Sequence, residues 1–309
     1  MILSSANIRR IALDLGADEV GFARVDNVHS ERALKEWLAL GYHGEMLYME
    51  RHLKLRLDPG QLLSGAKSII AIAVNYYPTS DNNPGIGSSY LVAKYAWGFD
   101  YHIVLRKILE ELRGALKEIC NPLKGRICVD TAPFMDKYWA QMAGIGWQGK
   151  HTNLVSRHFG SWLLLGSLII DHDLASYDAP HEDFCGKCTA CIEACPTGAI
   201  IKPHQLDSRR CISYWTIESK QDQFPEFIRR NLNRSVFGCD LCINACPFNR
   251  FQKPHRLAEF DRTDMISILE HGNAAEYSQA EFDRLFKESP ISRPGYSGIL
   301  RNIRLAGRK

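Results

Sequence analysis

The segment Cys185-Gly-Lys-Cys188-Thr-Ala-Cys191-Ile-Glu-Ala-Cys195-Pro196 governs how the rest of the chain is read. It is the C-x₂-C-x₂-C-x₃-C-P run that holds paired iron–sulfur clusters. Three thiolates at three-residue intervals on a tight loop reach three irons of one [4Fe-4S] cube, while the fourth, just before a proline, points toward a different cluster. A second cluster must therefore exist. Its ligands come from Cys239-Asp-Leu-Cys242-Ile-Asn-Ala-Cys246-Pro247, which repeats the C-x₂-C-x₃-C-P part with one cysteine fewer, and Cys211 fills the gap. The eight thiolates then divide as Cys185, Cys188, Cys191 and Cys246 on one cluster and Cys195, Cys211, Cys239 and Cys242 on the other. Zinc is the competing metal, since two C-x₂-C pairs make a Cys₄ site. Zinc, however, needs neither the third cysteine of the first run nor the two Cys-Pro exits. Cys120 and Cys128 stand apart and read as small buried hydrophobes.

The surrounding chain is ordinary in bulk. Its 309 residues carry 38 Lys and Arg against 35 Asp and Glu, a net charge of +3, with 45% hydrophobic and 24% charged residues. That composition excludes intrinsic disorder and collagen-like structure, and the length suits about two domains. The longest apolar stretch, Trp162 to Ile170, is broken by Gly166 and Ser167 and falls far short of the roughly 20 residues a membrane span needs. The opening MILSSANIRR has neither the charge order nor the cleavage site of a secretory signal. A cytoplasmic protein without membrane contact, working as a monomer, is expected. In that reducing compartment ten cysteines imply metal binding rather than disulfides.

Before the cysteines, helix and strand signals alternate. Ser5 is expected to cap a helix with Ile8, Ile11, Ala12 and Leu15 on one face, and Glu19 to Val25 reads as a strand. Ser30 caps a second helix, Ser68 to Tyr76 reads as a buried strand, and Pro78 to Ser89 as a loop. Asp100 caps a long helix through Ile119. A strand at Arg126 to Val129, a helix from about Pro133 to Ala143 and a strand at Ser161 to Ile170 follow. This is an α/β layer. A composition change at SYDAPHED places a boundary near residue 178, giving segments 1–177, 178–250 and 251–309. The last is helical and ends in a basic tail, with Arg293, Arg301, Arg304, Arg308 and Lys309 and no acidic residue after position 290. Such a tail is either a solvated terminus or a polyanion contact, and Lys220, Arg209 and Arg210 face the same choice. No G-x-G-x-x-G opens a helix after a strand. Asp100-Tyr-His102 begins like a cobalamin lower-ligand signature, but Leu105 stands where that signature needs glycine.

Lys94-Tyr-Ala-Trp-Gly98-Phe-Asp100-Tyr-His102, Val129-Asp130-Thr131, Ala143-Gly-Ile-Gly-Trp147-Gln-Gly-Lys150, Phe159-Gly-Ser161, Leu206-Asp-Ser-Arg-Arg-Cys211-Ile-Ser213-Tyr and Gly238-Cys-Asp240-Leu-Cys242, together with the first cysteine run, resemble the epoxyqueuosine reductases. These are cobalamin and iron–sulfur enzymes that complete the queuosine base of transfer RNA. The resemblance implies a nitroreductase-like α/β cobalamin-binding domain followed by a ferredoxin-like domain with two [4Fe-4S] clusters. It implies a substrate tRNA carrying epoxyqueuosine at the wobble position and a low-potential electron donor. The chain ends soon after Gly298-Ile-Leu-Arg-Asn302 and so looks like a short form without the C-terminal helical-repeat extension. Position by position, Arg56, Asp130, Leu154, Leu165, Ser213 and Asp240 fall where members contact the corrin, and Asp130 falls at the proton donor. That role calls for a carboxyl raised by burial. Ala93 stands where some members have cysteine, and Phe99 replaces an often charged position.

Without the resemblance, Asp130 reads as a helix N-cap, Arg56 as a surface charge, and Trp147 and Trp162 as core. Gly144, Gly146 and Gly149 read as a tight turn. The rival functions are a corrinoid reductive dehalogenase and a non-catalytic electron-transfer or corrinoid-activating protein.

Overall fold

A computed structural model describes residues 2–26, 28–78, 90–261, 266, 268–269 and 276–307 of the chain. The expected loop from position 79 onward, together with Arg308 and Lys309, lies outside these residues. The centre is a four-stranded sheet of β1 (Glu19–Arg24), β2 (Ser68–Asn75), β3 (Gly125–Cys128) and β4 (Leu163–Ile170), in the spatial order β1-β2-β4-β3. Every pairing is antiparallel, with Ile72 opposite Val20 on one side and Gly166 on the other.

Helices cover both faces, which is why β2 is buried throughout. Because strand side chains alternate, Ile70, Ile72 and Val74 join the core beneath α1 (Ser5–Asp14) and α2 (Tyr101–Ile119), while Ile69, Ala71 and Ala73 pack under α3 (Asp136–Met142). Leu105, Leu109, Leu112 and Leu116 form the buried stripe of α2. As expected, Asp100 caps α2, accepting from the His102 backbone N–H at 2.9 Å. The cap of α1 is Ser4, not Ser5. The Ser5 hydroxyl instead donates to the Ser176 carbonyl at 2.7 Å, because the interior side of the helix start has no solvent for it. Trp147, Trp162, Cys120 and Cys128 are buried as expected. Gly144 takes φ +73°, and a Cβ on Gly146 would sit 2.1 Å from the Val155 carbonyl oxygen, so this stretch is the tight turn its glycines suggested.

The cysteine-bearing segment is tied into this body. Its strand β5 (Ser235–Phe237) pairs in parallel with Leu91–Val92. Val92, Trp97, Val236, Phe237, Phe282 and Ile299 share one core, so residues from all three segments pack together. Leu305, on the last helix α4 (Gly295–Ala306), reaches Ile212, Trp215 and Phe224 in another.

That helix corrects the reading of the basic tail. Arg301 is only 6% exposed. Its guanidinium donates to the carbonyls of Ser219, Gln221 and Trp215 and to Asn302 Oδ1, at 2.8 to 3.1 Å. Arg293 pairs with Glu218 at 3.1 Å, and Arg209 with Asp207 at 2.9 Å. Arg210 donates to the Thr197 carbonyl and Lys220 Nζ to that of Arg293. Arg301 is turned inward toward a run of backbone carbonyls that accept from it. Among the described residues no helix is long and apolar enough to cross a membrane.

Candidate active site

The eight cysteines of the motif gather into the two expected groups of four. Cys191 lies close enough to Cys185, Cys188 and Cys246 to feel their charge, and Cys242 is in the same relation to Cys195, Cys211 and Cys239. Burial pushes the Cys239 thiol up to about 12 and Cys242 well above the usual thiol range. Backbone N–H groups nonetheless point at sulfur: Ala199 donates to Cys195 Sγ at 3.2 Å, and the Ser213 and Tyr214 amides face Cys211. Four thiols crowded where thiolate is penalised, yet supplied with amide donors, form a donor set that a cationic iron core would neutralise. Lys150, buried under the first loop, donates from Nζ to the carbonyls of Gly186 and Cys188 at 2.6 and 2.8 Å.

Toward the α3 face of the sheet, Asp130, Arg56 and Lys137 form a charged wall near the second thiol group. Asp130 follows β3 but caps nothing, because α3 starts only at Asp136 and Asp130 itself takes φ +39°. A non-glycine residue in that region is strained by about 1–3 kcal/mol and such strain collects at functional sites. Its side chain is 62% exposed. Desolvation by the surrounding protein raises its carboxyl, but contacts from His102 and Tyr101 and the His102 charge outweigh it. The net shift is downward, which corrects the expected burial-raised acid.

His102 is the partner that the sequence reading passed over. Its Nδ1 is 2.6 Å from Asp100 Oδ1 and its Nε2 is 3.4 Å from Asp130 Oδ2. Burial opposes the imidazolium, but the two carboxylates prevail and lift His102 to about 9. The Asp-x-His spacing was a real signal, since it marks this pair, although the pair aims at Asp130.

Arg56 is buried rather than a surface charge. Its Nη1 donates to the Phe134 carbonyl at 3.2 Å, and its Nε has no partner. Asp136, close by, is raised to about 7 by burial and then by the charge of Asp130, and its Oδ1 is also unpartnered. Leu154 and Leu165 lie on the same side of the sheet, against the α3 core. Ser213 and Asp240 sit with the second thiol group. Asp240 accepts from the Lys94 backbone N–H at 2.8 Å, and burial raises its carboxyl. Tyr95 feels both Asp130 and Asp240, and Lys137 feels both Asp130 and Cys242, so the two walls face one another. Unpartnered guanidinium and carboxyl atoms beside two leucines fit a large ligand with an apolar ring and polar amide arms, as a corrin is.

Residues 184–249 match the family described as "4Fe-4S double cluster binding domain", and residues 56–131 match "Epoxyqueuosine reductase QueG, DUF1730". An epoxyqueuosine reductase of Leadbetterella byssophila is 42% identical over 300 residues, covering 97% of each chain. The chain belongs to the epoxyqueuosine reductase family. A crystal structure of epoxyqueuosine reductase with a tRNA-Tyr epoxyqueuosine-modified stem loop superposes with a TM-score of 0.88 at 31% identity, over 97% of this chain and 80% of that one. A Bacillus subtilis epoxyqueuosine reductase, with its catalytic aspartate loop swung out of the active site, superposes at 0.87 and 30% identity, with the same coverage.

Proposed function

We propose that this chain is a cytoplasmic epoxyqueuosine reductase, removing the epoxide oxygen of epoxyqueuosine at the tRNA wobble position to leave the alkene of queuosine. The observation that carries the reading is Asp130, exposed on a strained turn beside His102 and near Lys137, which also feels Cys242 of the second thiol group, in a chain of this family. No observation favours a dehalogenase or a non-catalytic carrier.

The reaction takes two electrons and two protons. The cysteine groups would hold two [4Fe-4S] clusters, Cys185, Cys188, Cys191 and Cys246 at one and Cys195, Cys211, Cys239 and Cys242 at the other. Arg56, Asp130, Leu154, Leu165, Ser213 and Asp240 would hold cobalamin, with segment 1–177 as a nitroreductase-like domain. Cobalamin held there would supply a strong metal-centred nucleophile, and the clusters would supply electrons singly. The protein's own work at the reacting end is proton supply. An alkoxide leaves poorly, so a positioned acid at the epoxide oxygen is worth roughly 10² to 10⁴ in rate, and Asp130 is the carboxyl placed for it. Arg304 is exposed and would be available to phosphate.

Asp130→Asn tests the reading. Asparagine keeps the shape and tolerates the left-handed turn, yet supplies no proton. Iron, sulfide and cobalamin contents should stay near those of the parent while single-turnover product formation falls by on the order of 10² or more. Near-normal turnover would make Asp130 structural.

A further inference from the structure

An acid whose carboxyl is held ionised at neutral pH needs a proton source. We propose that His102 is the proton store of this site, its imidazolium gripped by Asp100 and delivering a proton from Nε2 to the Asp130 carboxylate. This rests on the reading of Asp130 as the acid.

The geometry allows one direction of transfer. Asp100 Oδ1 accepts from both the His102 backbone N–H and Nδ1, at 2.9 and 2.6 Å, so the ring is locked with Nδ1 toward Asp100. Asp100 is itself fixed, its backbone N–H donating to the Glu288 carbonyl at 2.6 Å. Tyr101 stacks on the ring at a centroid distance of 4.3 Å. Nε2 is buried and has no hydrogen-bond partner among the described residues, and the charged atom it meets is Asp130 Oδ2 at 3.4 Å. The loop bearing Asp130 need close only a few tenths of an ångström to make an ordinary hydrogen bond. The other titratable groups facing this pair are Tyr95, Tyr101 and Tyr48, the cations Lys137, Arg56 and Arg293, and the acid Asp136. They act chiefly on Asp130. With His102 raised to about 9 and Asp130 lowered, the proton rests on the imidazole at neutral pH.

The transfer balances without a redox partner. The Nε2–H bond breaks as the Asp130 O–H forms, and that O–H breaks in turn as the epoxide oxygen is protonated. Neutral imidazole remains, and because Nε2 is shielded from solvent while the Asp130 side chain is 62% exposed, the next proton reaches the ring through Asp130 between transfers. Two such cycles supply the two protons of one turnover.

The test uses the protein with clusters and cobalamin bound, and compares His102→Gln, Asp100→Asn and Asp130→Asn. Exchange of the imidazole C2 hydrogen for deuterium, read residue by residue by mass spectrometry, follows each histidine's ionisation independently of activity. Single-turnover conversion of an epoxyqueuosine-bearing anticodon stem-loop, with a chemical reductant, is followed from pH 6 to pH 10. His102 should titrate near 9 in the parent and at least tenfold more acidic in Asp100→Asn. Conversion by His102→Gln should fall at least tenfold at pH 7, and the parent's decline above pH 9 should disappear. The proposal is overturned if His102 titrates at the ordinary value of about 6.5, or if His102→Gln converts within twofold of the parent with the same alkaline decline. In those cases a slow Asp130→Asn still supports Asp130 as the acid, supplied by water. A fast Asp130→Asn instead defeats the reading of Asp130 itself. Should His102→Gln lose cobalamin, Asp100→Asn decides. It keeps the imidazole, and its alkaline decline must move to lower pH with the His102 midpoint; a decline that stays put refutes the store.

Discussion

Replacing Arg301 with methionine separates an RNA-facing arginine from a structural one. The guanidinium makes three hydrogen bonds to the backbone carbonyls of Ser219, Gln221 and Trp215, and two to Asn302 Oδ1. Asn302 in turn donates to the carbonyls of Thr216 and Val236, at 2.7 and 2.8 Å. Methionine fills much of the volume but leaves three buried carbonyls without a donor, each worth about 1 kcal/mol or somewhat more when the lost partner is charged. The loss of packing order around Asn302 adds to this, for a total of about 3–5 kcal/mol. With an unfolding entropy of about 2.1 cal/mol/K per residue over this chain, that corresponds to a melting temperature about 5–8 °C lower. Thermal unfolding of the anaerobically prepared protein, followed by circular dichroism, measures it. The damage should also spread to Cys211, which begins the helix Ile212–Ile217 whose end these bonds hold, so the variant should release iron sooner on heating. A melting temperature within about 1 °C of the parent, combined with weakened RNA binding, would refute the structural assignment.

Other outcomes follow from the same physics. Cys211→Ala should retain about four of eight irons and sulfides, because one thiol group stays complete; a full complement on elemental analysis would show that Cys211 is not a ligand. Gly98→Ala should destabilise by roughly 1–3 kcal/mol through overpacking, since its Cβ would lie 2.4 Å from Phe260 Cα and 2.5 Å from the Glu259 carbonyl oxygen. A neutral substitution in a urea melt would contradict that contact. The Asp100–His102–Asp130 cluster should also make stability depend on pH. His102 rises from 6.5 to about 9 on folding, so its contribution of about 3 kcal/mol is complete below pH 6.5 and lost as pH climbs through 9. Urea midpoints of the parent should fall across that window and those of Asp100→Asn should stay flatter; equal slopes would contradict the coupling.

Much of this was legible in the sequence, for identifiable reasons. The thiol grouping was read from the spacing of the two cysteine runs, with Cys211, which lies outside both, added to complete the count of eight. The strands of the sheet were visible as continuous apolar runs, but their antiparallel order was not. With helices on both faces, β2 is buried on both sides in either arrangement, so the pattern Ser68–Asn75 is silent about direction. Arg301 looked like one member of a basic tail because its acceptors are backbone carbonyls, which leave no mark in side-chain identity. Asp130 followed a strand and preceded a helix, which is how an N-cap reads. Only the positive φ and the five residues before Asp136 show otherwise. His102 was hidden by a competing motif, and its charge depends on Asp130, 28 positions away in the chain.

The central claim is tested most directly by incubating the anaerobically purified protein, loaded with cobalamin and its clusters, with a tRNA anticodon stem-loop carrying epoxyqueuosine and a chemical reductant. Digestion to nucleosides and mass spectrometry then report the modified base. The account predicts conversion to queuosine, with loss of one oxygen atom, dependent on cobalamin. Intact epoxyqueuosine after exposure to fully loaded, reduced protein would contradict it.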